Sequence, residues 1–300
     1  MATSHPVTAD DLARAEEALR VAIDHPHWDN VLTAKVRSMV GEELAAMVLA
    51  TAELRGKASA KLGDGIWWCT RRSLSQATPF QVADLKARWI APGSPIFDLC
   101  CGIGGDTAAM ARSTGHRESV ITAIDRDPFM VAMATENLRL NTPVNDLSLS
   151  FRCDDVLNLQ FTNDATVHID PDRRDDAGRK TRPEDYSPAW NLVEQMVDRC
   201  DAAIIKLAPA AELQDRDGRH RLWISLAGTV REQTLLMNRS INLASFDLGI
   251  SLREGGRSAI VVNREGQAFS YSGNVPDGKC GRTDQPAGYM VDPDAAVRAA

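Results

Sequence analysis

The sequence has no run that could cross a bilayer: its most apolar stretch, Leu44 to Ala52, is far too short. The opening MATSHPVTADD lacks a basic region followed by an apolar one, so no secretory signal is expected. Cysteine is present but not patterned. Cys69, Cys100, Cys101, Cys153, Cys200 and Cys280 form no CxxC pair and no zinc spacing, and adjacent cysteines such as Cys100 and Cys101 do not normally bridge. They read as small buried hydrophobes in a reduced, cytoplasmic protein, with no metal site. Basic excess is missing too. The net charge of −7 excludes a strongly basic nucleic-acid coat, though not a local basic groove. There is no internal repeat and no low-complexity tract. An apolar fraction of 44% and a charged fraction of 25% over 300 residues exclude wholesale disorder, collagen and a disulfide miniprotein.

What is there falls into three stretches. Up to about residue 66 the pattern is helical. Thr8 can cap a helix with Leu12, Ala15, Leu19, Ala22 and Ile23 on one face, His25-Pro26 interrupts it, a second helix runs from about Asp29 to Val40, and a third follows Gly41. Thr78-Pro79 opens another helix, with Thr as cap and Pro in the first helical position. Short apolar runs then alternate with helical segments. Strands are expected at Pro95–Cys100, Ser119–Asp125, Leu147–Arg152, Thr166–Asp170 and Ala202–Leu207, with helices at Asp106–Ser113, Pro128–Leu140 and Ser187–Cys200. That spacing means a doubly wound, mostly parallel sheet. Later strands at Leu222–Leu226, Val230–Met237 and Ser258–Asn263 have no strong helix between them, so an antiparallel end is expected. From Arg264 onward Gly and Pro increase and periodicity fades, which reads as a linker or wrapped tail.

Four segments carry chemistry. Phe97-Asp98-Leu99-Cys100-Cys101-Gly102-Ile103-Gly104-Gly105-Asp106-Thr107 ends a strand and opens a helix. Glycines there let the chain turn sharply and let a ligand approach without a Cβ in the way. The spacing is not that of a dinucleotide fingerprint, because the third glycine would fall on Thr107; this disfavours an NAD dehydrogenase. Asp125 ends the next strand, 21 residues after Gly104, where a carboxylate can accept both hydroxyls of a ribose. Phe129 just beyond it could lie against an adenine or in the core. Cys153-Asp154-Asp155-Val156 follows the third strand, and Asp155, directly before Val156-Leu157, is the better acceptor for an adenine amine. His168-Ile169-Asp170-Pro171-Asp172-Arg173-Arg174 leaves the fourth strand at the carboxyl edge, where open α/β sheets bind ligands. His168 itself reads as structural.

In this order the four segments resemble class I S-adenosylmethionine-dependent methyltransferases over about residues 76 to 265. Asp98 to Gly105 looks like motif I, with Cys100 where the family usually has Gly, and Asp170 to Arg174 looks like the motif IV loop. The DxxCGxGG form with Gln76-Ala77-Thr78-Pro79 resembles trimethylguanosine-synthase-like RNA methyltransferases. Asp170-Pro171-x-Arg173-Arg174 with Lys206-Leu207-Ala208-Pro209 is closer to bacterial methyltransferases that carry a C-terminal THUMP-like domain. The resemblance implies a Rossmann-like, seven-stranded α/β domain over 67–265, after an N-terminal helical domain at 1–66. Residues 266–300 would then lead towards a THUMP-like domain that is absent or truncated. It also implies S-adenosyl-L-methionine as cofactor, held by Gln76, Thr78, Asp98, Cys100, Gly102, Gly104, Asp125, Arg126, Phe129, Asp155, Val156 and Asp170. Asp170, Pro171 and Arg173 would serve catalysis.

The expected reaction is methyl transfer to a nitrogen of an RNA base, in tRNA or rRNA. The motif IV loop and Lys206-Leu207-Ala208-Pro209 contain no cysteine, so covalent C5 chemistry is not expected. Between Ala52 and Arg88, seven basic residues (Arg55, Lys57, Lys61, Arg71, Arg72, Lys86, Arg88) face three acids around Trp67 and Trp68. These could hold phosphates and stack a base, or the tryptophans could pack the helices onto the sheet. Arg216 to Arg221 reads as a solvated loop. A small-molecule or protein methyltransferase, and a nucleotide-binding or RNA-binding scaffold without turnover, are the rival readings.

Overall fold

Thr8 and Asp11 form a reciprocal capping box, the Thr8 N–H donating to the Asp11 carboxylate at 2.9 Å, and this starts α1 (Ala9–Arg14). α2 (Glu16–Asp24) follows, and Asp29 caps the long α3 (Asn30–Leu62), which kinks at Gly41 where φ is +79°. The computed structural model describes residues 6–25, 28–113, 119–142, 148–172, 174–175, 178–179, 182–214, 216–272 and 294–300. Two short helices, α4 (Arg71–Gln76) and α5 (Phe80–Ala87), lead to the sheet. Thr78 does not cap α5. Pro79 takes the cap position, and the Thr78 hydroxyl is engaged by Lys206 instead.

The elements that follow are β1 (Ile96–Leu99), α6 (Gly105–Arg112), β2 (Val120–Asp125), α7 (Pro128–Asn141), β3 (Ser148–Cys153) and β4 (Thr166–Ile169). A hairpin of β5 (Arg174–Asp175) and β6 (Gly178–Arg179) precedes α8 (Trp190–Val197), β7 (Ala202–Leu207), β8 (Arg219–Leu226) and β9 (Thr229–Asn238). Last come α9 (Arg239–Leu248), β10 (Arg257–Val262), β11 (Ala268–Ser272) and α10 (Ala295–Ala299). Among the described residues the main sheet has nine strands rather than seven, in the order β11-β10-β8-β9-β7-β4-β1-β2-β3. Only β9 and β11 run against the rest. The expected antiparallel end is therefore only partly right: α9 intervenes, and it returns the chain so that β10 pairs parallel to β8. Of the expected linker or wrapped tail, the start is instead strand β11, which joins the sheet, while Ala296 of α10 is buried against Trp223 and Ala259. The segment from Arg216 to Arg221 is a solvated loop only in its first half, where Arg216 and Asp217 are exposed. Arg219 and Arg221 are buried on β8, and Arg221 stacks 4.8 Å from the Trp223 ring.

The N-terminal helices have no core of their own. Leu12, Leu19, Leu32 and Val48 pack into one cluster with Trp68, Ile103, Met133 and Leu138, the last two from α7. Asn137, fully buried in α7, accepts from the Trp68 N–H at 2.6 Å and donates to the carbonyls of Trp68 (3.0 Å) and Ile103 (2.9 Å). One side chain thus ties the Trp67-Trp68 segment and the glycine turn to α7. Trp67 and Trp68 are buried by this packing, so neither can stack a base.

Candidate active site

Because β1, β2, β3, β4 and β7 are parallel, their carboxyl ends meet at one edge. There lies a cavity of about 620 Å³, walled by 76–79, 100–103, 125–127, 155–157, 170–172, Lys206 and 229–232. β9 contributes through its first residues because it runs antiparallel to β7 and so starts at the edge where the others end.

The turn after β1 is shaped by backbone conformation. Cys100, Gly102 and Gly104 have φ of +58°, +55° and +81°. A left-handed φ at position 100 explains why glycine suits it; Cys100 adopts it with a side chain. The two glycines then do different work. A Cβ on Gly102 would meet nothing within 4 Å, and that residue lines the cavity. A Cβ on Gly104 would come within 2.7 Å of Leu138, and Gly104 is not part of the cavity wall. The expected cofactor contact at Gly104 is therefore replaced by close packing of the turn on α7.

Asp125 divides its carboxylate between two turns: Oδ2 accepts from the Gly102 N–H of this turn at 2.9 Å, and Oδ1 from the Asp127 N–H of its own loop at 3.0 Å. Burial raises its carboxyl above the ordinary value, against those two hydrogen bonds. Each oxygen keeps a lone pair for a further donor, so the cradle fits a ribose. Asp155 and Val156 line the cavity, with Asp155 also accepting from the Leu157 N–H at 3.0 Å. Asp154 instead pairs with Arg152 at 3.0 Å outside the cavity. Arg126 lies on the wall and donates to the Ser187 hydroxyl at 3.0 Å. Phe129 is not on the wall. It packs against the helical core, and Met130 lines the cavity in its place.

Asp170, Pro171 and Asp172 extend from β4, which pairs directly with β1. Asp170 Oδ2 accepts from Lys206 Nζ at 2.6 Å, and the same ammonium donates to the Thr78 hydroxyl at 2.9 Å and the Gln76 carbonyl at 3.5 Å. Gln76 donates to Asp172 at 3.2 Å. The segment before α5 is therefore tied to the motif IV loop across the cavity. Arg173 and the side chain of Arg174 lie outside the described residues.

Below the floor is a buried polar network. Asp98 accepts from Thr107 and, at 2.8 Å, from His168 Nδ1, which fixes Asp98 as an anchor of the turn. His168 Nε2 accepts from Lys86 at 3.2 Å. Lys86, fully buried, also pairs with Asp106 at 3.0 Å and Glu232 at 3.1 Å. Burial opposes its charge, but these carboxylates win and hold the ammonium above the usual lysine range. Burial likewise opposes the charge on Asp106, yet Lys86, His168 and Lys206 hold it below the usual carboxylate range. Lys86, Lys206 and Glu232 were not among the site residues expected from sequence. One signal was available: Lys206 is the lone charge in the otherwise apolar, buried strand AAIIKL.

The cysteines differ in setting. Cys100 and Cys101 lie on the cavity wall, where burial and the neighbouring Asp125 and Asp98 push both thiols well above their ordinary range. Cys153 is exposed rather than buried, and Cys280 lies outside the described residues. Among the described residues no His, Cys, Asp and Glu group is placed to hold a metal ion, and no helix is long and apolar enough to cross a membrane.

Residues 96–169 match a family model described as a methyltransferase domain. Two uncharacterized S-adenosylmethionine-dependent methyltransferases of Mycobacterium tuberculosis, from strains CDC 1551 / Oshkosh and ATCC 25618 / H37Rv, are each 33% identical over 279 residues; the match covers 87% of this chain and 69% of theirs. The fold is similar to a crystallised candidate methyltransferase of Porphyromonas gingivalis W83, with a TM-score of 0.61 and 19% identity, over 89% of this chain and 66% of that one. Identity of this extent, over a parallel sheet whose glycine turn and strand-end carboxylates form one cradle, makes the chain a member of the S-adenosylmethionine-dependent methyltransferases, with S-adenosyl-L-methionine as its cofactor.

Proposed function

We propose that the chain methylates a nitrogen of a base in RNA, tRNA or rRNA, in a reduced, cytoplasmic setting. The observation that carries this reading is the contrast between the acceptor end of the cavity and its rim. Asp170 and Asp172 make the interior acidic, while the exposed Arg72, Arg126 and Arg231 stand around it. Carboxylates suit the N–H groups of a base, and arginines suit the phosphates beside it. The resemblance to bacterial methyltransferases with a THUMP-like domain and to trimethylguanosine-synthase-like RNA methyltransferases supports the same substrate class.

The bound cofactor supplies a methyl group already activated on a sulfonium. Asp125 would receive the ribose hydroxyls, Asp155 and Val156 the adenine, and the 76–79 segment the methionine end. The protein's own work is then alignment and proton handling. Lys206 fixes one oxygen of Asp170, and the other is left to accept the N–H of the target nitrogen and take its proton. The Cys100 and Cys101 thiols, held protonated by burial and neighbouring carboxylates, are poor nucleophiles, which disfavours a covalent C5 route.

The test is transfer of tritiated methyl groups to total RNA from a strain lacking the gene, followed by nucleoside analysis. Label in one N-methylated nucleoside is expected; label at C5, or none in RNA, defeats the reading. The net charge of −7 favours the rival, a small-molecule or protein acceptor, and the same assay with the RNase-treated extract separates the two.

A further inference from the structure

Glu232 is a cavity-wall group that the proposed transfer leaves without a role. It is 1% exposed. Its Oε1 accepts from Lys86 Nζ at 3.1 Å and from the Thr234 hydroxyl at 2.9 Å. Its Oε2 is buried and has no hydrogen-bond partner among the described residues. A buried carboxylate oxygen without a donor is costly, and folded proteins nearly always supply one.

The position of Glu232 says which ligand would supply it. Glu232 stands at the cavity end of β9, and β7 and β4 separate β9 from β1. Asp125 and Asp155 lie on the other side of β1, at the ends of β2 and β3. Glu232 is thus on the Asp170 side of the cavity, away from the ribose and adenine cradle. A polar chain also joins the two acids: Asp170 to Lys206, Lys206 to Thr78, Thr78 to Asp106, Asp106 to Lys86, and Lys86 to Glu232. Around it, four carboxylates (Asp98, Asp106, Asp170, Glu232) face two ammonium groups (Lys86, Lys206). That surplus suits a ligand that brings N–H donors and repels an anion.

We infer that Glu232 is a substrate-binding residue whose Oε2 accepts a hydrogen bond from the planar N–H edge of the acceptor, selecting acceptors that carry a donor beside the methylated nitrogen. The inference deepens the proposed function and rests on it only in taking the acceptor to be a nitrogen heterocycle. Lys86 and Thr234 hold Oε1, and Oε2 is closed to water in the free protein, so it meets the acceptor only as the pocket adjusts around it.

Glu232→Gln keeps the shape and turns the Oε2 position from acceptor to donor. Benzamidine, a planar N–H donor, is titrated into wild type and variant, both loaded with S-adenosylhomocysteine. Affinity of the variant for benzamidine should fall by about tenfold or more, the value of one hydrogen bond to a charged group. Affinity for S-adenosylhomocysteine should stay the same, and the KM for bulk RNA should rise with benzamidine's loss. No benzamidine binding by wild type, or equal binding by both proteins, overturns the inference. So does weakened S-adenosylhomocysteine binding by a folded variant, because Glu232 would then serve the cofactor. Should circular dichroism show Glu232→Gln unfolded, Glu232→Asp replaces it, keeping the charge beside Lys86 while withdrawing the oxygen. Absence of any RNA methylation by wild type would defeat the RNA reading alone, since the benzamidine titration decides Glu232 by itself.

Discussion

The two halves of the cavity are built in different ways. The cofactor half comes from short segments at the ends of β1, β2 and β3, each presenting its group at the strand's last residue or a few residues past it: Gly102, Asp125, Asp155. The acceptor half is assembled from residues far apart in the chain, as Lys206 brings together Gln76, Thr78 and Asp170, and Lys86 brings together Asp106, His168 and Glu232. The first half is a set of local turns on a generic sheet. The second is a charge network that exists only when the sheet is complete, and its parts cannot be exchanged one at a time.

The sharpest way to break this comparison is at the junction between the halves. Asp170→Ala should reduce turnover by roughly 10²–10⁴-fold if the carboxylate takes the proton, while S-adenosylhomocysteine affinity measured by calorimetry stays the same. Equal turnover of mutant and wild type on an identified substrate would make the loop structural.

Next in size is Lys86→Met. Removing the ammonium leaves Asp106 and Glu232 buried without their partner, which should cost about 3–5 kcal/mol in urea unfolding. A pH dependence absent from the wild type near neutrality should also appear. In the wild type Asp106 lies below the usual range, so its contribution is present above that range and is lost only as pH falls through its depressed value. Lys86 is raised, so its contribution is present below the usual lysine range and lost only at strongly alkaline pH. Wild-type stability from this pair should be level around neutrality. In Lys86→Met the stranded carboxylates prefer to be protonated, so the variant should gain stability as pH falls towards about 5. A variant as stable as wild type, with the same pH profile, would mean that the network is dispensable.

On the cofactor side, Asp125→Asn should weaken S-adenosylhomocysteine binding by about 1.5–3 kcal/mol, as charge-assisted hydrogen bonds become neutral ones. Burial raises the Asp125 carboxyl, so wild-type affinity should decline on acidification at a higher pH than an ordinary aspartate would give. The Asn variant should lack that decline; a shared profile in calorimetry at several pH values would exclude Asp125 as its source.

The smallest effects should separate the two glycines. Gly104→Ala drives a Cβ against Leu138 and Ala134 and should lower stability by about 1–3 kcal/mol. Gly102→Ala meets no neighbour but must hold a left-handed φ of +55°, which costs about 1–2 kcal/mol, so it should lower stability without the clash of Gly104→Ala and should also weaken cofactor binding. If both variants melt alike and bind alike, the division of labour in the turn is wrong.

Legibility in the sequence followed the same line. β1 to β4 and α6 to α7 are found within a residue or two of where the pattern puts them, because β1, β2 and β4 carry buried apolar residues, and β3, a largely exposed edge strand, still alternates Leu149 and Phe151 with polar residues. Helix α8 starts at Trp190 rather than Ser187, as Pro188 and the pairing of Asp172 with Ser187 hold the preceding residues extended. Strand β11 was missed because an edge strand needs only one neighbour and shows little apolar pattern: Phe269 and Tyr271 are half exposed. Lys86 counted as part of a basic surface from sequence, yet it is among the most buried residues. A lysine's charge does not reveal whether carboxylates from other elements will surround it.

By itself, the sequence determined the doubly wound sheet, the sharp turn after β1 and the carboxylates at the ends of β2 and β3. These follow from periodicity, glycine and strand ends, which act over a few residues. Only the tertiary structure decided that Trp67, Trp68 and Phe129 face the core, that Gly104 packs while Gly102 opens to the cavity, and that β9 enters reversed to bring Glu232 beside Lys86. The reason is that burial and charge pairing depend on which distant surfaces meet. Lys86, Lys206 and Glu232 are separated by more than a hundred residues or by a whole hairpin, and their energies exist only once β7 and β9 have closed over α5.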